Sequence, residues 1–80
     1  MTVKEFVEVL SFREKDIIEL VDNETLDTLE NFNSKYRILK SIYSNKNITS
    51  ISFEVEEIDI ITATAGRIKT DRKRFIIVIE

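Results

Sequence analysis

The chain of 80 residues is long enough for one domain, residues 1–80, and a domain of this size buries only ~60% of the surface that its unfolded form exposes. It contains no cysteine and no histidine, which excludes disulfides and thiolate metal sites and removes the commonest general base. Its net charge of −3 and pI of ≈ 5.0 differ from those of nucleic-acid-binding domains, which are usually basic. A hydrophobic fraction of 42% is close to the globular average and predicts a folded domain.

Three features favour a cytoplasmic protein without membrane contact. The absence of cysteine fits a reducing compartment. No apolar run approaches the ~20 residues that a membrane-spanning helix needs. The opening MTVKEFVEVL carries an acidic residue at Glu5 and no small-residue cleavage site, so we do not expect a signal peptide.

The first element is predicted to be a helix. Thr2 and Glu5 have the spacing of a capping box, in which each side chain satisfies the backbone N–H of the other residue. Apolar residues then follow the i, i+3, i+4, i+7 rule, which places one stripe of the helix against the core. These residues are Val3, Phe6, Val7 and Leu10.

A strand and an ambiguous segment follow. DIIELVD, residues 16–22, is short and rich in β-branched residues and runs into a polar turn, which predicts a strand. Residues 25–33 fit two structures. The recurrence of apolar residues at every third position favours a helix, whereas the preceding turn favours the second strand of a hairpin.

SKYRILKSIYS, residues 34–44, predicts the second helix. Ser34 is a good N-cap residue. Leu39, Ile42 and Tyr43 would form the apolar face of this helix, with basic residues extending outward.

From Ile48 onward the chain predicts β structure. Residues 48–64 alternate apolar and polar side chains, as one long strand with a bulge near Glu56-Glu57 or as two strands. RFIIVIE, residues 74–80, is apolar on both faces, which places it inside a sheet or at a subunit interface. The predicted fold class is α+β, with one or two helices packed on a small, mainly antiparallel sheet of three or four strands.

Charge is divided into blocks along the chain. Residues 1–30, 31–53, 54–65 and 66–80 carry net charges of −6, +4, −4 and +3, in that order. In one interpretation, neighbouring elements neutralise each other within the fold, and each exposed pair contributes only ~0.2–1 kcal/mol. In the other, the surface is divided into acidic and basic faces that recognise a partner.

GRIKTDRKR, residues 66–74, holds the only glycine and five basic side chains. It predicts a solvated loop of the last hairpin, in which Gly66 permits a bend and the charges keep the tip in water. The same side chains could instead bind an acidic protein surface, or neutralise the phosphates of a nucleic acid beside Phe75. The five basic residues are Arg67, Lys69, Arg72, Lys73 and Arg74.

Carboxylates are abundant, but none forms a recognisable catalytic or metal-binding set. Glu54 and Glu56 would share a strand face without the apolar pocket that a catalytic pair needs. Residues 22–27 lack the spacing and the central glycine of a calcium loop. A chain with a single glycine cannot build a glycine-rich phosphate loop. We therefore expect no enzyme, no cofactor and no metal site.

The stretches TVKEFVEVL, DIIELVDNET and ITSISFEVEEIDI resemble small accessory proteins of phages and mobile elements of low-GC bacteria. Such proteins often begin with a short capped helix, a strand and a polar turn and end in β strands. Those with known roles often inhibit host proteins, and they include anti-CRISPR proteins that occupy the nucleic-acid-binding surfaces of Cas effectors. The resemblance implies a location in the cytoplasm of a bacterial host, and it carries no site residues.

These features together predict a non-enzymatic protein-binding module that inhibits or modulates a host protein, such as a nucleic-acid-binding effector. Contact is expected from the basic residues of the 67–74 segment or from an acidic side. The acidic side consists of Glu54, Glu56, Glu57 and Asp59. Direct binding of nucleic acid by the 67–74 segment is the alternative. A homo-oligomer formed through the two-sided apolar strand 75–79 is a third possibility.

Overall fold

The computed structural model describes residues Met1 to Glu80 as two helices and a four-stranded sheet. The strand order across the sheet is β2-β1-β4-β3, with β1 parallel to β4 and the other neighbouring pairs antiparallel. The α+β class with a mainly antiparallel sheet is therefore confirmed. The elements in chain order are α1 (Val3–Val9), β1 (Ile17–Asp22), β2 (Thr28–Phe32), α2 (Lys35–Leu39), β3 (Ile48–Thr62) and β4 (Gly66–Ile79).

α1 begins with the predicted capping box. Thr2 Oγ1 accepts a hydrogen bond from the backbone N–H of Glu5 at 3.2 Å, and Glu5 Oε1 accepts one from the backbone N–H of Thr2 at 3.0 Å. Val3 and Val7 are fully buried, and Phe6 packs beside them. The predicted apolar stripe of the first helix is therefore confirmed.

Both helices contribute to a single core on one face of the sheet. The buried side chains of β4 alternate along the strand, as do Ile18 and Leu20 of β1, so that they point to that face. Val21 of β1 is also buried, but it directly follows Leu20 and is not part of this core. The predicted strand 75–79 lies inside the sheet, between β1 and β3, which accounts for its two apolar faces. The core consists of Val3, Val7, Ile18, Leu20, Phe32, Ile38, Phe75, Ile77 and Ile79.

The ambiguous segment 25–33 contains the strand β2 and no helix. Asp22 Oδ1 accepts the backbone N–H of Glu24 at 2.7 Å, and Leu26 takes a left-handed conformation with φ of 61°. This turn brings β2 back against β1, where Phe32 is buried. Leu29, which shared the three-residue period, is 38% exposed, so the period did not mark a helix face.

The second helix is shorter than the predicted span 34–44, because α2 ends at Leu39. Ser34 occupies the N-cap, but its side chain makes no capping hydrogen bond. Ile38 is the fully buried residue, whereas Ile42 is 84% exposed. The prediction that Ile42 lies on the apolar face is wrong, since the helix ends at Leu39 and Ile42 lies beyond it.

β3 and β4 form one long hairpin, and the bulge predicted near Glu56-Glu57 is absent. Pairing is regular from Ser50 opposite Val78 to Thr62 opposite Gly66, and the register shifts only between Ile48 and Ser50. The turn is uncharged, and Gly66 supports it with a φ of 71°. The five basic residues therefore lie along β4 and not on a loop, which corrects the prediction for residues 66–74.

The strands that flank β4 differ in length. β1 pairs with β4 only from Arg74 to Ile79, whereas β3 pairs with β4 along its whole length. The outer part of the hairpin, residues 55–73, therefore projects from the body as a two-stranded ribbon, which we call the arm. The protein is accordingly elongated, with extents of 44 × 23 × 17 Å.

Asp16 ties the base of the arm to the body. Asp16 is 2% exposed, and its carboxylate accepts hydrogen bonds from the backbone N–H groups of Arg13 and Lys73, both at 3.0 Å. Lys15 Nζ also donates to Thr70 Oγ1. The segment before β1 thus holds the side of β4 where pairing with β1 has ended.

Replacement of this carboxylate is expected to loosen the arm. Asp16→Ala leaves two partly buried N–H groups without an acceptor, which should lower the free energy of unfolding by about 1–3 kcal/mol. Asp59→Ala is the control, because Asp59 is exposed and makes no salt bridge or side-chain hydrogen bond. That control should stay within about 0.5 kcal/mol. Equal urea denaturation midpoints for the two variants would contradict the role of Asp16.

Candidate functional site

The predicted site residues all lie on the β3–β4 hairpin, where most acids of β3 face a base of β4, although Glu57 faces Asp71. The register places Glu56 opposite Arg72 and Asp59 opposite Lys69. The arm carries four acidic and four basic residues and has no net charge. The acidic block 54–65 and the basic block 66–80 therefore lie side by side in the hairpin.

Glu56 is the centre of an ion-pair network on the sheet face opposite the helices. Its Oε1 accepts from Arg74 Nε at 2.7 Å, and its Oε2 accepts from Arg72 Nε at 2.8 Å. Arg74 Nη1 also donates to Glu19 Oε1 of β1 at 3.2 Å. These side chains are only 20–28% exposed. Arg72 and Arg74 thus bind the protein's own carboxylates.

The network shifts the protonation of its members toward their charged forms. The hydrogen bond from Arg74, followed by that from Arg72, lowers the pKa of Glu56 below its ordinary value. The hydrogen bond to the Glu56 carboxylate raises the pKa of Arg74. Both groups are charged at neutral pH, so the ion pairs persist under ordinary conditions.

The other predicted charges are less constrained. Lys69 Nζ lies 3.5 Å from Glu57 Oε1, with side chains 72% and 64% exposed, and such a pair contributes little to stability. The side chains without a salt bridge are those of Glu54, Asp59, Arg67 and Lys73.

This arrangement gives little support to a nucleic-acid interface. Of the five basic residues, only Arg67 and Lys73 lack a carboxylate partner within the protein. They are six positions apart on one strand, about 20 Å at the usual rise per residue. Two separated cations on a neutral arm make a weak electrostatic footprint for a phosphate backbone. Nucleic-acid binding stays a prediction.

An apolar row on β3 is the surface that the sequence-based site missed. Ile51, Phe53 and Val55 alternate on the helix-side face of the sheet and are 42%, 60% and 59% exposed. The Phe53 ring lies 6.1 Å from the ring of buried Phe75. The alternation is visible in the sequence, but nothing there shows that β3 is an end strand whose apolar row is exposed.

The outer edge of β3 is also free. At its start, the Met1 carbonyl accepts the N–H of Ile48 at 2.9 Å and closes the edge. From Thr49 to Thr62 no other segment pairs with this side of the strand. β3 holds no proline and no lysine, the residues with which edge strands are commonly protected against pairing. We call the apolar row together with this unpaired backbone the β3 edge.

Other candidate sites are weaker. A shallow depression beside the base of the arm is lined mainly by polar residues, and the buried carboxylate of Asp16 within it is occupied by backbone N–H groups. No group of three or more acidic residues converges as a metal site would require. The depression is lined by Arg13, Asp16, Val55, Asp71, Arg72 and Lys73.

Comparison of the chain with protein-family models, curated proteins and solved structures gave no match. Neither helix has the length and apolar character needed to cross a membrane. The function is therefore inferred from the geometry and chemistry of the β3 edge and the arm.

The network around Glu56 predicts a pH dependence of stability. Because the pKa of Glu56 is lowered in the folded state, its contribution is fully present above the ordinary value of 4.5 and is lost as the pH falls through the lowered pKa. Glu56→Gln should therefore be less stable than the wild type at neutral pH, and the difference should shrink in acid. Urea unfolding of both proteins over a pH series measures it.

A matched variant tests the cause of the shift. Arg74→Gln removes the main donor to the carboxylate, so the NMR titration midpoint of Glu56 should move up toward 4.5. A midpoint that stays unchanged in this variant, or a wild-type advantage that persists undiminished in acid, would contradict the network.

Proposed function

We propose that this protein is a non-enzymatic protein-binding module whose contact surface is the β3 edge. The observation that carries the proposal is the coincidence of an unpaired strand edge with an exposed apolar row on the same strand. The backbone edge offers hydrogen bonds to an added strand, and the alternate side chains offer specificity. Both requirements for binding by strand addition are thus met on one element.

The energetics favour covering this row. Complete burial of one large aliphatic or aromatic side chain is worth about 1.5–3 kcal/mol relative to exposure. Ile51, Phe53 and Val55 lie side by side, so one partner strand with its own apolar residues could cover all three. A protein strand satisfies the apolar row and the backbone edge together, whereas a nucleic acid could stack a base on Phe53 but offers no strand to pair with the edge.

The predicted ionic contacts have a smaller part in this proposal. Glu56, Arg72 and Arg74 are engaged with each other or with Glu19, so their use by a partner would require breaking internal ion pairs. The exposed acid Glu57 follows Val55 on the same face and would form the rim of the contact, whereas Glu54 lies on the opposite face. Rim charges mainly affect association rate and salt dependence.

The class of partner is inferred from the sequence and not from the geometry of the β3 edge. The resemblance of the sequence to phage and mobile-element proteins favours a host protein as the target, and an inhibitory effect would follow from occupation of a strand edge on that target. This origin and this target are part of the proposal and rest on the resemblance alone.

The proposal is tested by one substitution in the row and one outside it. Phe53→Lys places a charge in the middle of the contact, and we expect proteins captured from a bacterial lysate by the wild type to be lost. Ile61→Lys is the matched control, because Ile61 is an apolar residue of β3, 80% exposed, near the tip of the arm.

Circular dichroism first verifies that both variants are folded. Quantitative mass spectrometry of the captured proteins then compares them with the wild type. Loss of the same proteins with Ile61→Lys, or their retention with Phe53→Lys, would refute the β3 edge as the contact surface.

A further inference from the structure

The order of apolar and polar residues in β3 is symmetric about Phe53. Read outward from that position, Ser52 corresponds to Glu54 and Ile51 to Val55. The next correspondences are Ser50 with Glu56 and Thr49 with Glu57. Every apolar residue thus has an apolar counterpart, and every acid has a hydroxyl residue as its counterpart.

This symmetry is what a strand needs in order to pair antiparallel with a copy of itself. A two-fold axis perpendicular to the sheet at Phe53 places each residue directly opposite its counterpart in the second copy. The two apolar rows then become continuous on the helix-side face, with Phe53 opposite Phe53 and Ile51 opposite Val55. On the other face each glutamate lies opposite a serine, and no two carboxylates are directly opposed.

Neighbouring registers fit less well. An axis at Glu54 opposes that carboxylate to its own copy and places Ile51 opposite Glu57, and both contacts are unfavourable. An axis at Ser52 avoids such contacts but shortens the pairing to Thr49–Val55, because the edge is closed at Ile48 by the Met1 carbonyl. The Phe53 register is the longest one that opposes no acid to an acid or to an apolar residue.

We therefore propose that the β3 edge pairs with a second copy of this chain, antiparallel through Thr49–Glu57 about an axis at Phe53, and that a host target would have to displace this copy from the same edge. This inference rests on the proposed function, since it uses the same surface. The dimer has one continuous eight-stranded sheet in the order β2-β1-β4-β3-β3-β4-β1-β2, and the arm of each copy leaves the other copy's strand beyond Glu57. The assembly stops at two copies, because each copy uses its β3 edge once and leaves none free for a third.

A charge introduced at residue 53 provides a direct test. Sedimentation equilibrium of the wild type should show a concentration-dependent doubling of mass. Phe53→Lys and Phe53→Glu each oppose like charges at the axis, so each alone should raise the dimer dissociation constant by at least about tenfold. An equimolar mixture of the two variants should recover the doubled mass, because unlike charges then meet. Ile61→Lys should dimerise as the wild type does.

The outcomes separate this inference from the proposed function. A wild type that stays monomeric up to millimolar concentration overturns the self-pairing, as does a mixture that gains no dimer. If that monomer still captures a lysate protein and loses it with Phe53→Lys, the β3 edge remains a contact surface for a different protein. If capture is unaffected by Phe53→Lys as well, both proposals are wrong.

Discussion

The unequal pairing of β4 is the constraint on which the rest of the structure depends. β4 is flanked by β3 along its whole length and by β1 only from Arg74 to Ile79. The body of the protein therefore covers only the base of the hairpin, and Asp16 closes that boundary with two backbone hydrogen bonds. Beyond it β4 pairs with β3 alone. β3 is the end strand of the sheet along its whole length, and its exposed apolar row lies at and just below the base of the arm.

Ion pairs at its base connect the arm to the body, and the arm buries little apolar surface of its own. A two-stranded ribbon is only marginally stable by itself in water. The network joining Glu56, Arg72, Arg74 and Glu19 connects both strands of the hairpin to β1. Arg72 and Arg74, which the sequence analysis considered as contacts for a partner, bind carboxylates of the protein itself.

Local sequence patterns predicted the fold well where the signal was short-range. The capping box at Thr2, the strand 16–22 and the interior position of the last strand followed from spacing and side-chain type. The strand at 28–32 was one of two alternatives for residues 25–33, and only pairing with β1 decides between them, because such pairing overrides a weak three-residue period. The end of α2 at Leu39 was not predicted. The alternation of apolar and polar residues in β3 was predicted. The exposure of its apolar row was not, because it depends on the order of the strands in the sheet, which local sequence patterns do not reveal.

The central claim is that the β3 edge is the surface through which this protein associates. Residue-resolved hydrogen exchange by NMR tests it most directly, because alternate amides of an end strand point outward and have no acceptor until a second strand is added. Between Thr49 and Glu57 these amides should exchange rapidly in dilute solution and become protected as the protein concentration rises, while those of Ile60 to Thr62 do not change. Exchange in Thr49–Glu57 that is independent of concentration, with protection appearing on β2 or the arm tip instead, would contradict the account.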